Sequence, residues 1–384
     1  MNEAYDKLRT TIIANLGLDY TVTGDLLKLY FSKYTRPNQL TQFFSKYDIE
    51  VLDYQSVWLI SKLAARLHYA GVPRELFPRI KGVVKRFTVE NGRSFCLLPD
   101  VLETLNEAGI TVMLLNGAAM KTFYEPAETR YSSHIDILVH EENIKKAGLL
   151  LERQGFRLQD VSWEQRSYLK NGIKAVLYTT CIRGNLLARD LPDIWRHSLK
   201  SDWQGKKILV PCPEMMLMIV LIQGLEASCS RIQGGQADYF VNCFLDIKSF
   251  LNIYPLRWET FIELVRKSRL MLHIRLMLDI INHLYSGAVS EEALNALPFT
   301  GHDISNVQRL ILYNAAKLQM TDAKMQHNVL GYYYNGINAL WNLNCYYGNR
   351  VSRLANVTDF PRFITIWNNQ GINGLLSRLG GYKR

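Results

Sequence analysis

The sequence lacks the patterns that mark several familiar classes of protein. It has no run of about 18 apolar residues, which excludes a typical transmembrane helix. It contains neither the phosphate-binding pattern Gly-x-x-x-x-Gly-Lys-Ser/Thr nor the hydrolase pattern Gly-x-Ser-x-Gly. None of the eight histidines forms a His-x-x-x-His pair. We therefore expect no membrane span and no site of these familiar kinds.

Cysteine is scarce and scattered, with six residues and no closely spaced pair. This distribution predicts reduced, mostly buried thiols and gives no support to a zinc site. The first residues, MNEAYDKLRTT, are charged and lack the apolar stretch of a signal peptide. Together these features predict a cytoplasmic protein.

The chain is basic, and the excess is concentrated near the end of the sequence. The formal net charge is +10, and residues 346–384 hold six basic residues against one acidic residue, which is half of that excess. Aromatic residues such as Trp367 are interleaved with the basic ones. Such a segment is typical of contact with nucleic acid or another polyanion. The alternative is a solvated, weakly ordered tail.

Four segments follow from the patterns along the 384 residues. Helical spacing of apolar residues predicts a helical N-terminal layer over 1–95. Apolar strands and helices alternate over 96–212, which predicts an α/β core. Long apolar helical patterns over 213–345 predict a helical bundle, and the basic aromatic segment fills 346–384. The expected fold class is α+β, with a small mixed sheet flanked by helices.

The core contains two apolar strands and a hairpin. The strands are predicted at 110–115 and 135–139, and the dipeptide Asn171-Gly172 between two apolar runs predicts a type I′ turn. The second strand carries Asp136 among apolar neighbours. Because a buried carboxylate without a partner is costly, this position needs an explanation, and metal binding is one.

The stretch from 114 to 139 reads LLNGAAMKTFYEPAETRYSSHIDILV. It resembles the nucleotidyltransferase-like family of the polymerase-beta-type superfamily, whose members read like "LLKGAAL…Y…P…R…DIDLLV". The matching positions are Leu114, Leu115, Gly117, Ala118, Ala119, Tyr124, Pro126, Arg130, Ile135, Asp136, Ile137, Leu138 and Val139. The resemblance implies a small mixed sheet with helices on it. It also implies a nucleoside triphosphate held with a divalent metal, Mg²⁺ or Mn²⁺.

The resemblance assigns roles to five residues. Gly117 corresponds to the glycine of the phosphate loop, and Asn116, in place of the family's lysine, to a phosphate contact. Arg130 is expected to contact phosphate or the metal pair. Asp136 is the expected metal ligand. His134 stands in place of the first aspartate of the Asp-x-Asp pair, and it is expected to act as an altered ligand or as a base.

A third acid of the family pattern is missing from the later strand. The corresponding strand, 174–180, has Val176 and contains no carboxylate. Glu164, Asp190 and Asp193 are the nearest substitutes in sequence. One carboxylate alone is a poor ligand set for two magnesium ions.

A purely structural interpretation of the same residues is also open. In it, Asp136 pairs with Arg130, and His134 caps the entrance of its strand. Asp246, inside an apolar helical pattern, is interpreted as a core acid paired with an arginine such as Arg231.

Two functions follow from these alternatives. The first is a nucleotidyltransferase that moves a nucleotide from a nucleoside triphosphate to an unknown hydroxyl, phosphate or amine. The second is a catalytically degenerate nucleotidyltransferase fold, a pseudoenzyme that binds a nucleotide, a peptide or a protein partner. A second carboxylate close to Asp136 would favour the first.

Overall fold

A computed structural model gives the fold of the chain. The structure describes residues 5–6, 9–10, 13, 18, 21–32, 34–121, 130, 132, 134–161, 165–181, 193–232, 240–253, 256–268 and 271–298. The basic segment 346–384, with its predicted nucleic-acid contact, lies outside the described residues, as do Glu164 and Asp190.

The N-terminal part is helical, as the apolar spacing predicts. Its helices are α1 (Val22–Phe31), α2 (Pro37–Lys46), α3 (Tyr54–Arg66), α4 (Phe77–Cys96) and α5 (Leu98–Glu107), with single 3₁₀ turns at Ile49–Val51 and Arg74–Leu76. Side-chain caps fix two helix starts, because the Thr21 hydroxyl accepts from the Gly24 N–H at 3.1 Å and the Asp53 carboxylate accepts from the Ser56 N–H at 2.8 Å. Apolar faces of these helices are buried against the rest of the molecule.

A seven-stranded mixed sheet forms the centre. Its strands are β1 (Met113–Leu114), β2 (His134–Leu138), β3 (Arg157–Val161), β4 (Gln165–Lys170), β5 (Ile173–Tyr178), β6 (Ser198–Trp203) and β7 (Lys206–Pro211). The spatial order is β3-β4-β5-β2-β1-β7-β6. The β2–β5 and β1–β7 pairs are parallel, whereas the remaining neighbours are antiparallel. The α+β class with a mixed sheet is therefore confirmed.

The predicted hairpin joins β4 to β5. Asn171 and Gly172 have φ of 52° and 76°, and two positive φ values are what a type I′ turn requires. A second hairpin, between β6 and β7, turns at Gln204 and Gly205 with φ of 51° and 82°. This second hairpin is not predicted from the sequence, because Gln-Gly is a weaker turn signal than Asn-Gly.

The first predicted strand, 110–115, is shorter in the structure. Ile110 lies three residues after α5 and closes its C-terminal turn, because its N–H donates to the Leu105 carbonyl at 2.9 Å. The regular strand is β1 alone, although Leu115 N–H also donates to the Asp136 carbonyl at 3.0 Å. Extended backbone on both sides of β1 thus holds the strand between β2 and β7.

Further helices cover the sheet and extend beyond it. They are α6 (Asn116–Met120), α7 (Ile144–Arg153), α8 (Pro213–Ile232), α9 (Phe240–Ile253), α10 (Trp258–Ser268), α11 (Met271–Leu284) and α12 (Glu291–Asn295), with a 3₁₀ turn at Glu141–Asn143. The apolar run 215–222 is entirely buried, which confirms a central place for α8. Within the described ranges, no helix has both the length and the apolar composition that a membrane span requires.

Candidate functional site

Asp136 is the buried acid at the centre of the candidate site. It lies in the middle of β2, is fully buried, and has Val176 of β5 as its register partner. Its Oδ2 atom accepts a hydrogen bond from Asn116 Nδ2 at 3.0 Å and lies 3.1 Å from His134 Nε2. The imidazole of His134 is 28% exposed, whereas the side chain of Asp136 is 1% exposed. An amide and an imidazole thus compensate the burial of the carboxylate.

Asn116 stands at the junction between β1 and α6. Its φ of 45° lies in the left-handed region, which asparagine tolerates better than most residues other than glycine. Its side-chain oxygen accepts from Gln223 Nε2 of α8 at 3.0 Å. This contact orients the amide so that the NH₂ group, rather than the oxygen, faces Asp136. Gln223 is a site residue that the sequence does not reveal, because it lies 107 positions from Asn116 and belongs to no motif.

Gly117 is packed tightly against two polar side chains. A Cβ atom added there would lie 2.6 Å from Ser132 Cβ and 2.7 Å from an Arg130 guanidinium nitrogen. Close packing therefore requires a glycine at this position. The predicted contact between Gly117 and phosphate stays a prediction.

Arg130 forms a buried ion pair with Asp246 of α9. Nε lies 2.8 Å from Asp246 Oδ1, and a terminal nitrogen lies 2.8 Å from Asp246 Oδ2, which is a bidentate geometry. The interpretation that Asp246 is a core acid with an arginine partner is confirmed, with Arg130 as that partner among the described side chains; the side chain of Arg231 lies outside them. The guanidinium contacts described above go to Asp246, whereas Asn116 and His134 are the partners described for Asp136. The predicted contact of Arg130 with phosphate stays a prediction.

Asn91 of α4 clamps the backbone that leads into β2. Its Nδ2 donates to the Arg130 carbonyl at 2.8 Å, and its Oδ1 accepts from the Ser132 N–H at 2.7 Å. Ser132 in turn donates from its hydroxyl to the His134 carbonyl at 2.8 Å. Asn91 is buried in the structure, but nothing in the local sequence of α4 marks it as a site residue.

The acids near Asp136 decide which metals the site can hold. Among the described residues, no group of three His, Cys, Asp or Glu side chains lies close enough together to bind an ion. Asp193 is not one of the missing ligands, because it is exposed and pairs with Arg196 in a surface turn. The described residues at the site therefore contribute one carboxylate and one imidazole. This set does not fit two magnesium ions, whereas it fits part of the shell of a single ion such as Mn²⁺.

Cysteine chemistry has no part in the site as described. The free cysteines of the described residues are Cys96, Cys181, Cys212 and Cys243. Cys181 follows β5 and is buried, and burial raises the pKa of its thiol to about 12. Burial likewise raises the pKa of Cys212, so both thiols stay protonated and unreactive at neutral pH.

Comparison with protein families agrees with this geometry. The family model described as uncharacterised nucleotidyltransferase matches residues 58–286, which is more than half of the chain. The chain belongs to this family. Comparison with curated proteins gives no significant match.

The matched range of this nucleotidyltransferase family member includes every element that supplies a described site residue. It begins inside α3, includes Asn91 and the whole sheet, and runs past α8 and α9, which supply Gln223 and Asp246. The resemblance inferred from 114–139 is therefore confirmed at the level of the family. The family match says nothing about which substrate the chain uses or whether it is active.

Proposed function

We propose that the protein is a nucleotidyltransferase fold that binds a nucleotide beside Asp136 and holds this carboxylate with its own side chains instead of two metal ions. The observation that carries the proposal is the pairing of Asp136 Oδ2 with the Asn116 amide at 3.0 Å and the His134 imidazole at 3.1 Å. Family membership supports a nucleoside triphosphate as the ligand.

The orientation of Asn116 supports a site that works without two ions. Metal ions need lone pairs, but the Asn116 NH₂ group points a donor at the only carboxylate of the described site. An ion that took the same carboxylate oxygen would have to displace this amide, which Gln223 holds from the other side. The lost hydrogen bonds would count against ion binding.

The strand next to β2 supplies positive charge instead. Lys174 of β5 is the register partner of His134 and is exposed. In neighbouring strands, paired residues point to the same face of a sheet. Lys174 therefore places a cation beside His134 at this end of the site, which suits phosphate groups.

A second candidate is an active nucleotidyltransferase that uses one ion. The distance of 3.1 Å between His134 Nε2 and Asp136 Oδ2 favours it. Two ligands that bind one ion at about 2.1 Å in adjacent octahedral positions are about 3 Å apart, so these atoms could share a Mn²⁺ ion. Such an ion would neutralise charge on the triphosphate during transfer to an acceptor.

Thermal unfolding with each nucleoside triphosphate in EDTA, Mg²⁺ and Mn²⁺ tests the proposal. A ligand at 100 times its dissociation constant adds about 2.7 kcal/mol to stability. The proposal predicts a stabilising shift that persists in EDTA and is weakened in Lys174→Gln. A shift seen only with Mn²⁺ and lost in His134→Ala would support the one-ion enzyme. No shift with any nucleotide would contradict both candidates.

A further inference from the structure

A cavity of about 750 Å³ lies on the opposite side of α9 from the Arg130–Asp246 pair. It is bounded by the end of α1, the start of α2, the end of α3, and residues of α9 and the end of α11. None of the candidate site residues lines it. Its volume lies within the range of small-molecule sites.

The described residues that line the cavity include three cations and no carboxylate. The cations are Arg36, Arg66 and Lys248. Arg66 donates to the Tyr30 carbonyl at 3.0 Å and to the Thr35 hydroxyl at 2.9 Å, so its described partners are uncharged. The described lining of the cavity therefore carries three basic side chains and no acidic one.

Lys248 is held at the cavity wall although its side chain is largely buried. Its Nζ donates to the Tyr30 carbonyl and lies 4.5 Å from the centre of the Tyr30 ring. The Arg66 guanidinium lies 4.8 Å from the same ring. Capping of the α1 C-terminus explains part of this arrangement. Helix capping does not explain why the exposed Arg36 lies at the rim, or why a cavity is present at all.

Aromatic and polar groups complete the wall. Tyr34 is 71% exposed, which is unusual for so large a ring, and it lines the cavity. Tyr285 donates from its hydroxyl to Asn252 Oδ1 at 3.1 Å. An exposed ring beside guanidinium groups suits a ligand that has both a phosphate group and a flat or hydroxylated body.

We propose that this cavity binds the phosphate group of a phosphorylated small molecule through Arg36, Arg66 and Lys248. The site is separate from the one at Asp136. Helix α9 connects the two, because Asp246 and Lys248 are two residues apart and point to different sides of that helix. The proposal does not depend on nucleotide binding at Asp136.

Calorimetric titration of the full chain in EDTA at low ionic strength tests the site. The probes are AMP, ribose 5-phosphate, adenosine and citrate. We expect AMP or ribose 5-phosphate, or both, to bind, and adenosine and citrate not to bind. If AMP binds and ribose 5-phosphate does not, the ligand is a nucleotide; if both bind equally, it is a phosphosugar or any phosphate monoester.

Variants separate this site from the one at Asp136. Arg36→Gln and Lys248→Met should each weaken binding about tenfold, the effect of losing one charged hydrogen bond. The exposed Lys145→Gln should leave the affinity for both esters unchanged, and Asp136→Asn should leave the affinity for ribose 5-phosphate unchanged. Arg36→Gln removes an exposed side chain, so it tests the site even if Lys248→Met fails to fold.

Three results would overturn the proposal. These are no binding of either phosphate ester, equal binding of citrate, and binding that Asp136→Asn abolishes while Arg36→Gln leaves it intact. The last result would assign the phosphate ester to the Asp136 site, so failure of this proposal is distinguishable from failure of the proposed function.

Discussion

Arg130 and Asp246 are 116 positions apart in sequence, yet their side chains form a bidentate ion pair with both partners almost fully buried. The pair joins the segment before β2 to helix α9. Asn91 holds the same segment from the opposite side through the backbone of Arg130 and Ser132. The position of β2, and with it that of Asp136, therefore depends on contacts from two distant helices.

Removing one partner of this pair should destabilise the fold strongly. In Asp246→Ala the Arg130 guanidinium would stay buried without its counter-charge, and such losses cost about 3–5 kcal/mol. Urea unfolding of the variant and of the parent protein measures the difference.

An exposed pair provides the control for this prediction. Arg196→Gln removes a partner of Asp193 on the surface and should change stability by less than about 1 kcal/mol. Equal effects of Asp246→Ala and Arg196→Gln would show that the buried pair does not hold the two segments together.

A second prediction concerns Gly148 of α7. A Cβ atom there would collide with the hydroxyl of Tyr168 on β4. Gly148→Ala should therefore destabilise the protein by about 1–3 kcal/mol, the range for overpacking, although alanine normally favours a helix. Tyr168→Phe removes the buried hydroxyl that the added Cβ atom would meet. The double variant should regain at least half of the loss.

Gly92 is the matched control for Gly148. It lies in α4 with no atom near the position of an added Cβ. Gly92→Ala should stabilise the protein by about 0.5–1 kcal/mol through helix propensity alone. If thermal unfolding showed Gly148→Ala to be as stabilising as Gly92→Ala, that result would contradict the close contact between Gly148 of α7 and Tyr168 of β4.

A third prediction follows from Glu214 in the first turn of α8. Burial alone would raise the pKa of this carboxyl, but hydrogen bonds from Arg257 outweigh burial and lower the pKa below its ordinary value. A lowered folded-state pKa stabilises the protein above the unfolded-state pKa of about 4.3, and the contribution fades as the pH falls through the folded-state pKa. Glu214→Gln should cost roughly 1 kcal/mol at neutral pH and progressively less below about pH 4.

Urea unfolding at several pH values checks this dependence. Arg257→Gln should cost less than Glu214→Gln, because the Arg257 side chain is 69% exposed and its backbone N–H still reaches the carboxylate. If the free energies of unfolding of the parent and of Glu214→Gln differed by the same amount at every pH, the lowered pKa of Glu214 would be contradicted.

A fourth prediction addresses the replaced aspartate at position 134. His134→Asp would place a second carboxylate beside Asp136. Without metal the two like charges should repel and lower the melting temperature. Added Mg²⁺ or Mn²⁺ should reverse this loss in the variant while leaving the parent nearly unchanged. A parent protein that gains as much stability from Mg²⁺ as the variant does would contradict the account of His134.

The sequence predicts the local elements of this fold better than their long-range contacts. The β2 strand, the Asn171-Gly172 hairpin and the buried start of α8 follow from apolar spacing and turn chemistry. The edge strands β3 and β6 are missed, because most of their residues are exposed and show no apolar alternation.

Site residues follow the same rule. Asp136 and His134 belong to one short motif and are identified from it. Gln223 and Asn91 reach the site from distant helices, and nothing local distinguishes them from surface amides. The four segment boundaries predicted from sequence, and the cytoplasmic location, stay predictions.

The most direct test of the central claim is calorimetric titration of ATP into the parent protein, once in EDTA and once in Mg²⁺. If protein donors have replaced the two ions, the two affinities should agree within about threefold. The affinity of the Asp136→Ala variant for ATP should likewise be the same in EDTA and in Mg²⁺. ATP binding that requires Mg²⁺ and disappears in Asp136→Ala would contradict the account and show that the carboxylate still serves as a metal ligand.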